Sequence, residues 1–120
     1  MAADASWIVE DFQTDARGCP VRTFLRSLKG RELAEAIALI KLAGERGNRL
    51  RAPQSKALGG GLFELRGSQV RIFYVFATGR RIVLLSGIVK KQDRIRPWEL
   101  TRARQLQTEQ AARETGGGTR

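Results

Sequence analysis

The chain has 120 residues, 42% of them apolar, enough for one domain with one core and too few for two domains; a disordered chain is excluded. Lys and Arg number 22 against 12 Asp and Glu, and this net charge of +10 favours a polyanionic partner, nucleic acid or an acidic protein, over charge that serves solubility alone. There is no histidine, which removes the commonest general base, the Ser-His-Asp triad and most zinc sites, and leaves any catalysis to Lys, Arg, Glu, Asp, Tyr or backbone groups.

Residues 1–6 are small or acidic with no apolar run behind them, so they do not form an ordinary signal peptide. Residues 6–12 (SWIVEDF) alternate partially and carry β-branched and aromatic side chains, predicting a first strand. Cys19 stands alone, which excludes a disulfide framework or a cysteine metal cluster and fits a reducing compartment. Pro20 suits the first turn of a helix, and Val21, Phe24, Leu25 and Leu28 follow at helical spacing. A second helix is predicted over residues 31–45, with Leu33, Ile37, Ile40 and Leu42 apolar and Glu32, Glu35 and Lys41 on the wet side. Gly44 and Gly47 end it, and the two helices make a hairpin.

Residues 48–61 read as a loop rich in Arg, Pro and Gly. The period then becomes two. Residues 62–66, 70–78 and 81–89 predict three strands joined at Gly67-Ser68 and Gly79-Arg80, and such short connections require antiparallel pairing. The longest apolar stretches, such as residues 82–85, are too short to span a bilayer, so a cytoplasmic protein without membrane contact is expected. A third helix is predicted over residues 98–113, with Leu100, Ala103, Leu106 and Ala111 inward and Arg102, Arg104 and Arg113 outward. Residues 1–113 form the domain, and the Gly-rich residues 114–120 are expected to be a disordered tail. The order β-α-α-β-β-β-α predicts an α+β fold, a twisted antiparallel sheet with the helices on one face.

Two-residue turns in both hairpins would put Phe63, Leu65, Val70, Ile72, Tyr74, Phe76, Val83, Leu85 and Val89 on one apolar side under the helices. A three-residue turn would upset that assignment. The other side would hold Glu64 opposite Arg71, Phe73 opposite Ser86, and Arg66 and Lys90 at the margins, with Lys56 entering from the loop. A polar open face with a cross-strand Glu–Arg pair is ordinary for an antiparallel sheet. The sign of the charge tilts the balance, because Glu64 is the sole acid of the set and Phe73 sits among the cations. That combination suits stacking a base while gripping its phosphates.

The segments Pro53-Gln54-Ser55-Lys56-Ala57-Leu58, Gly61-Leu62-Phe63-Glu64-Leu65-Arg66, Val70-Arg71-Ile72-Phe73-Tyr74, Ile82-Val83-Leu84-Leu85-Ser86-Gly87 and Lys90-Lys91 resemble, in order, the RelE/HigB toxin superfamily. The similarity is greatest to its phage-derived HigB-like branch, and it covers residues 53–105. The resemblance implies a RelE-like fold and a type II toxin that cuts mRNA without a metal or other cofactor, typically in the ribosomal A site. It further implies a cognate helix-turn-helix antitoxin. Lys56, Glu64, Arg66, Arg71, Lys90 and Lys91 stand where that branch keeps its charged residues. Two departures are visible: Ile88-Val89 replaces the usual Phe before the lysine pair, and the histidine some relatives use is missing.

Cleavage by the RNA's own 2′-OH needs a base, charge stabilisation at phosphorus and a proton for the 5′ oxygen. Arg66 and Arg71, with Lys90, are the expected phosphate clamp. Glu64 is the expected general base, its pKa lowered by the cations, and Lys56 is the alternative base. Arg51, Phe73 and Lys91 are the expected RNA contacts. Tyr74 belongs to the core side. No strong acid is evident, which implies weak activity on free RNA and orientation supplied by the ribosome. A ParE-like gyrase poison and a non-catalytic RNA-binding module are the competing readings.

Overall fold

The computed structural model describes residues 6–90 and 95–118. The chain runs through β1 (Ile8–Asp11), α1 (Pro20–Ser27), α2 (Gly30–Arg46), β2 (Ser55–Gly59), β3 (Leu62–Arg66), β4 (Val70–Ala77), β5 (Arg81–Val89) and α3 (Pro97–Gly118). The strands make one sheet in the order β1-β5-β4-β3-β2. β2 is a strand inside what the sequence presents as loop; its exposed Lys56 and Ala57 hide the alternation that would mark it. The pairs from β2 to β5 are antiparallel, but β1 lies parallel to β5. The sheet is therefore mixed rather than wholly antiparallel. Short turns force the first arrangement, whereas the long excursion from β1 to β5 leaves its direction free.

The helices occupy both faces, not one. α1 and α2 cover Leu65, Val70, Ile72, Tyr74, Ile82 and Leu84, using Val21, Ala36, Leu39 and Ala43. Small residues lead on α2, so the helix lies close to the sheet; Leu33, Ile40 and Leu42 pack at its flanks, and Ile37 points to solvent. α3 covers the opposite face with Ala103 and Leu106 over Phe12, Leu62, Phe73, Val75, Val83 and Leu85. It is also tethered by polar groups. Arg104 donates to the carbonyls of Leu58 and Gly59, Gln107 to that of Gly60, and Arg113 to that of Gln13. Of the three arginines expected on its outer side, Arg102 and Arg113 are exposed and Arg104 is half-buried. α3 also continues through Gly118 where a tail was expected, and Glu114 pairs with Arg81 of β5 beyond the anticipated helix end.

The turns explain the exchanged side chains. Pairing of Ala77 with Arg81 leaves Thr78, Gly79 and Arg80 in a three-residue turn, with Gly79 and Arg80 at φ of 82° and 55°. That single extra residue puts Ile82 and Leu84 under α1 and α2 and sends Val83 and Leu85 to the α3 face. A bulge between Phe73 and Tyr74 then restores the expected pairing of Phe73 with Ser86 and puts Arg71 beside Ile88. The β3–β4 turn closes at Ser68-Gln69, shifting Glu64 to face Phe73 and Arg66 to face Arg71. A shift of two residues changes partners without changing faces.

Glu35 fastens that turn. Its carboxylate accepts from the backbone N–H groups of Ser68, Gln69 and Val70 at 2.6, 3.2 and 2.9 Å and from the Ser68 hydroxyl at 2.7 Å. Burial pushes its pKa up, but these four donors outweigh it and leave the pKa below the usual value. At the other end of α2, Gly47 has φ of +53°, and the Trp7 indole fills the space its Cβ would take.

Two stability outcomes follow. Glu35→Ala should lower unfolding free energy by about 1–2 kcal/mol at neutral pH, measured by urea denaturation. Because the folded pKa lies below the unfolded one, that contribution is present above the ordinary carboxylate value and fades as pH falls through the folded value. A difference between wild type and variant that persists undiminished in acid would refute the linkage.

Candidate nucleic-acid interface

One end of the α3 face is left to charged residues. Lys56 on β2 pairs in register with Glu64 on β3, Glu64 with Phe73 on β4, and Phe73 with Ser86 on β5. In the next row Arg66 stands beside Arg71, and Arg71 beside Ile88, with Lys90 following β5. The tethers of α3 attach at Leu58–Gly60, at the other end of β2 from this group. The period of two that alternates core and surface along each strand thus delivers Lys56, Glu64, Arg66 and Arg71 to one place.

Glu64 is the centre. Its residue exposure is 2%, and it lies 3.5 Å from Arg66 Nε and 3.9 Å from Arg71 Nε. Neither distance is that of a strong charge-assisted hydrogen bond, and Glu64 Oε2 and Arg66 Nε have no hydrogen-bond partner among the described residues. Burial raises the Glu64 pKa above the ordinary carboxylate value, although Arg71, Arg66, Lys56 and Lys90 all pull the other way. The sequence expectation of a lowered pKa is therefore reversed: strand alternation counts neighbouring charges but not the water lost on burial.

The other expected site residues divide. Arg66 has a side-chain exposure of 34%, Lys56 is exposed and Lys90 is half-buried. Arg71 is not on an open face. It is buried, and its Nη1 donates to the carbonyls of Gly67 and Val70 at the turn. Phe73 is also misplaced by the sequence reading: it is fully buried among Leu62, Val75 and Leu85 beneath α3 and cannot stack on a base. Arg51 donates to the carbonyls of Asn48 and Leu50, holding its own loop instead of joining the cluster. Lys91 lies outside the described residues. Tyr74 is buried on the helical-hairpin side as expected, and its hydroxyl meets Ser55 Oγ at 2.7 Å. Burial raises that phenol's pKa and keeps it protonated at neutral pH.

Sequence reasoning missed the cleft beside this cluster. A cavity of about 590 Å³ is lined by Ala38, Leu39 and Leu42 of α2, by Pro53 and Gln54, and by Arg66 and Arg71. Its signal was faint, because Leu42 reads as a core residue and Pro53 as a loop breaker. Among the described residues, no three His, Cys, Asp or Glu side chains group closely enough to hold a metal ion. No helix among them is long and apolar enough to cross a membrane.

This architecture is an established one. A chain of the toxin–antitoxin complex RelBE2 from Mycobacterium tuberculosis is similar in structure, with a TM-score of 0.55 over 73% of this chain and 95% of that chain, at 18% sequence identity. The five-stranded sheet flanked by three helices is thus a RelE-like α+β fold, as the motif resemblance implied. The profile of the family described as "Phage derived protein Gp49-like (DUF891)" matches residues 23–108, and the chain belongs to that family. No curated protein sequence matches it.

The burial of Phe73 is open to a direct check. Phe73→Ala should destabilise the fold by about 3–5 kcal/mol in denaturant titrations, as a large-to-small core substitution does. An undiminished unfolding midpoint would return Phe73 to the surface. Glu64 contributes to stability with the opposite sign to Glu35. Its raised folded pKa adds stability below the unfolded value that is lost as pH rises through the folded one.

Proposed function

We propose that this protein is the toxin of a type II toxin–antitoxin system, a metal-independent endoribonuclease that cuts mRNA on the ribosome and so arrests translation. The observation that carries this reading is the convergence of Lys56, Arg66, Arg71 and Lys90 on one buried carboxylate, Glu64. The similarity to a chain of a toxin–antitoxin complex supports it, as does the family match. A gyrase poison has no need of this carboxylate–cation group, and a simple RNA-binding module has no need to bury its acid.

The chemistry divides among the residues by exposure. Arg66, with Lys56 and Lys90, meets the scissile phosphate and neutralises the charge that grows on it during attack. Glu64, raised in pKa and with Oε2 unpartnered, takes the proton from the 2′ hydroxyl as that oxygen attacks phosphorus. The ammonium of Lys56 or Lys90 is the donor at hand for the departing 5′ oxygen, and the products are a 2′,3′-cyclic phosphate and a 5′ hydroxyl. Arg71 positions this group: it faces Glu64 from beneath and ties it to the 67–70 turn. The restraining partner is an antitoxin, a helix-turn-helix protein that covers the cationic face.

A specific observation favours a second assignment of the base. Glu64 is almost wholly covered, whereas Lys56 stands exposed beside it in register. In that version Glu64 holds the arginines and Lys56 accepts the proton.

Induced expression should stop growth, and primer extension on translated mRNA should show new 5′ ends. Arg66→Ala should cut the cleavage rate by about 10²–10³ while leaving the fold intact, since that side chain is half-exposed. Arg71→Ala should lose stability as well, because its buried guanidinium serves two carbonyls. If Glu64 is the base, the single-turnover rate climbs with pH through a value above the ordinary carboxylate range, and Glu64→Gln abolishes both rate and limb. Retention of that limb in Glu64→Gln, with loss of activity in Lys56→Arg, would assign the base to Lys56. Uncut mRNA with the wild-type protein and programmed ribosomes would defeat the nuclease reading.

A further inference from the structure

The cleft between α2 and the approach to β2 shares two of its lining residues, Arg66 and Arg71, with the charged cluster, yet nothing in the proposed chemistry uses the rest of it. Its volume of about 590 Å³ falls within the range of sites that enclose small organic groups. Ala38, Leu39 and Leu42 give it an aliphatic lining, to which the Pro53 ring adds. A planar aromatic heterocycle suits such a site, its faces meeting the apolar residues and its edge the polar ones.

The polar groups are at the rim. Glu35 and Ser68 are committed to each other and to the turn, which makes that side of the cleft rigid. The Gln54 backbone carbonyl accepts from Arg66 N at 2.8 Å, fixing Gln54 against β3. Its side-chain amide makes no hydrogen bond to another described residue and offers both a donor and an acceptor to the cleft. Gly67 completes the rim, and any Cβ there would collide with the Glu35 carboxylate.

We propose that this cleft receives one base of the RNA, the nucleotide next to the phosphate held at Arg66. Arg66 then joins the two halves of the substrate site, its guanidinium on the phosphate and its flank at the cleft mouth. The Gln54 amide reads the edge of the inserted base, so the cleft selects which position along the message is cut. A protein segment is the less fitting occupant. Two guanidinium groups, Arg66 and Arg71, line the cleft and match a phosphate beside the base, and its apolar lining is confined to Ala38, Leu39, Leu42 and Pro53. The proposal rests on the RNA-cleaving reading for its consequence at the cut site, but its binding step stands without cleavage.

The test uses the full chain and a trinucleotide whose 2′ hydroxyls are methylated, so that it binds without being cut. Backbone amide NMR shifts are followed in titration, and cleavage sites on ribosome-bound mRNA are mapped in parallel. Shifts are expected at Ala38, Leu42 and Gln54 as well as at Lys56 and Arg66. Ala38→Trp, a substitution at an exposed helix position that fills the cleft, should weaken the trinucleotide about tenfold. Gln54→Ala should redistribute the cut sites with less effect on total cleavage than Arg66→Ala. Shifts at the cleft with no cleavage by the wild type would sustain the base site while sinking the nuclease. Cleavage with no shifts at the cleft residues, and cut sites unmoved by either variant, would overturn the base site and leave the nuclease standing. Absence of any shift at Ala38, Leu42 and Gln54, whether or not RNA binds elsewhere, also overturns it.

Discussion

A carboxylate taken out of water and set among guanidinium groups is the constraint around which this molecule is arranged. Glu64 is attracted by Arg66 and Arg71, yet neither lies at the distance of a close ion pair. The charged form loses more from burial than it gains from its neighbours, so the pKa rises. Stability alone does not favour such a group, for an apolar side chain of similar size at that position would pack with no desolvation cost. What it provides is a fixed, weakly solvated oxygen beside a set of cations. A ribose hydroxyl next to a phosphate is the ligand that would use both.

The position of this group is set by features at some distance from it. Glu35 reaches from α2 to the Ser68–Val70 amides, and the same turn supplies the Gly67 and Val70 carbonyls that receive Arg71. A helix on one face of the sheet thereby holds a guanidinium that belongs to the other. On the opposite side, α3 excludes water over Phe73 and Leu62, the residues directly adjoining Glu64 in the sheet. The two carboxylates respond differently because their surroundings differ. Glu35 is surrounded by donors and keeps its charge easily; Glu64 has arginines at arm's length and an oxygen with no donor.

The sequence made most of this legible where short connections and alternation applied together. Antiparallel pairing of β3, β4 and β5 and the grouping of Glu64, Arg66 and Lys90 on one face come from the period of two and its turn residues. The helical hairpin comes from helical spacing, and Lys56 was expected to join the group from the loop before β3. The motif order pointed to the same RelE-like fold independently. Reading failed where one residue decided the outcome. The three-residue turn at Thr78–Arg80 exchanged Val83 and Leu85 for Ile82 and Leu84, and the bulge beyond Phe73 reversed the exchange before it reached Ser86. Neither event leaves a mark in hydrophobicity, since the exchanged residues Ile82, Val83, Leu84 and Leu85 are all apolar. Phe73 was misread for a related reason: alternation puts it correctly on the face of Glu64, but cannot show that α3 lies above it. β2 was missed because an edge strand with exposed residues has no alternation to display.

The balance of charge at the site connects these local facts to the net +10 of the chain. Four cations face one acid, so a surplus of positive charge remains after every internal pairing has been made. Elsewhere the surplus is relieved by specific partners: Arg22 with Asp11, Arg81 with Glu10 and Glu114, Arg113 with Asp15. At the site Arg71 is satisfied by carbonyls, but Arg66 Nε is left without an acceptor. A polyanion supplies the missing charge and the missing acceptors in one step, and anything that binds the folded chain alone stabilises it by mass action. The same arithmetic applies to an acidic protein partner laid over the face. In the proposed reading, affinity for a polyanion is a consequence of how the fold was closed, and only the buried carboxylate makes the site more than a grip.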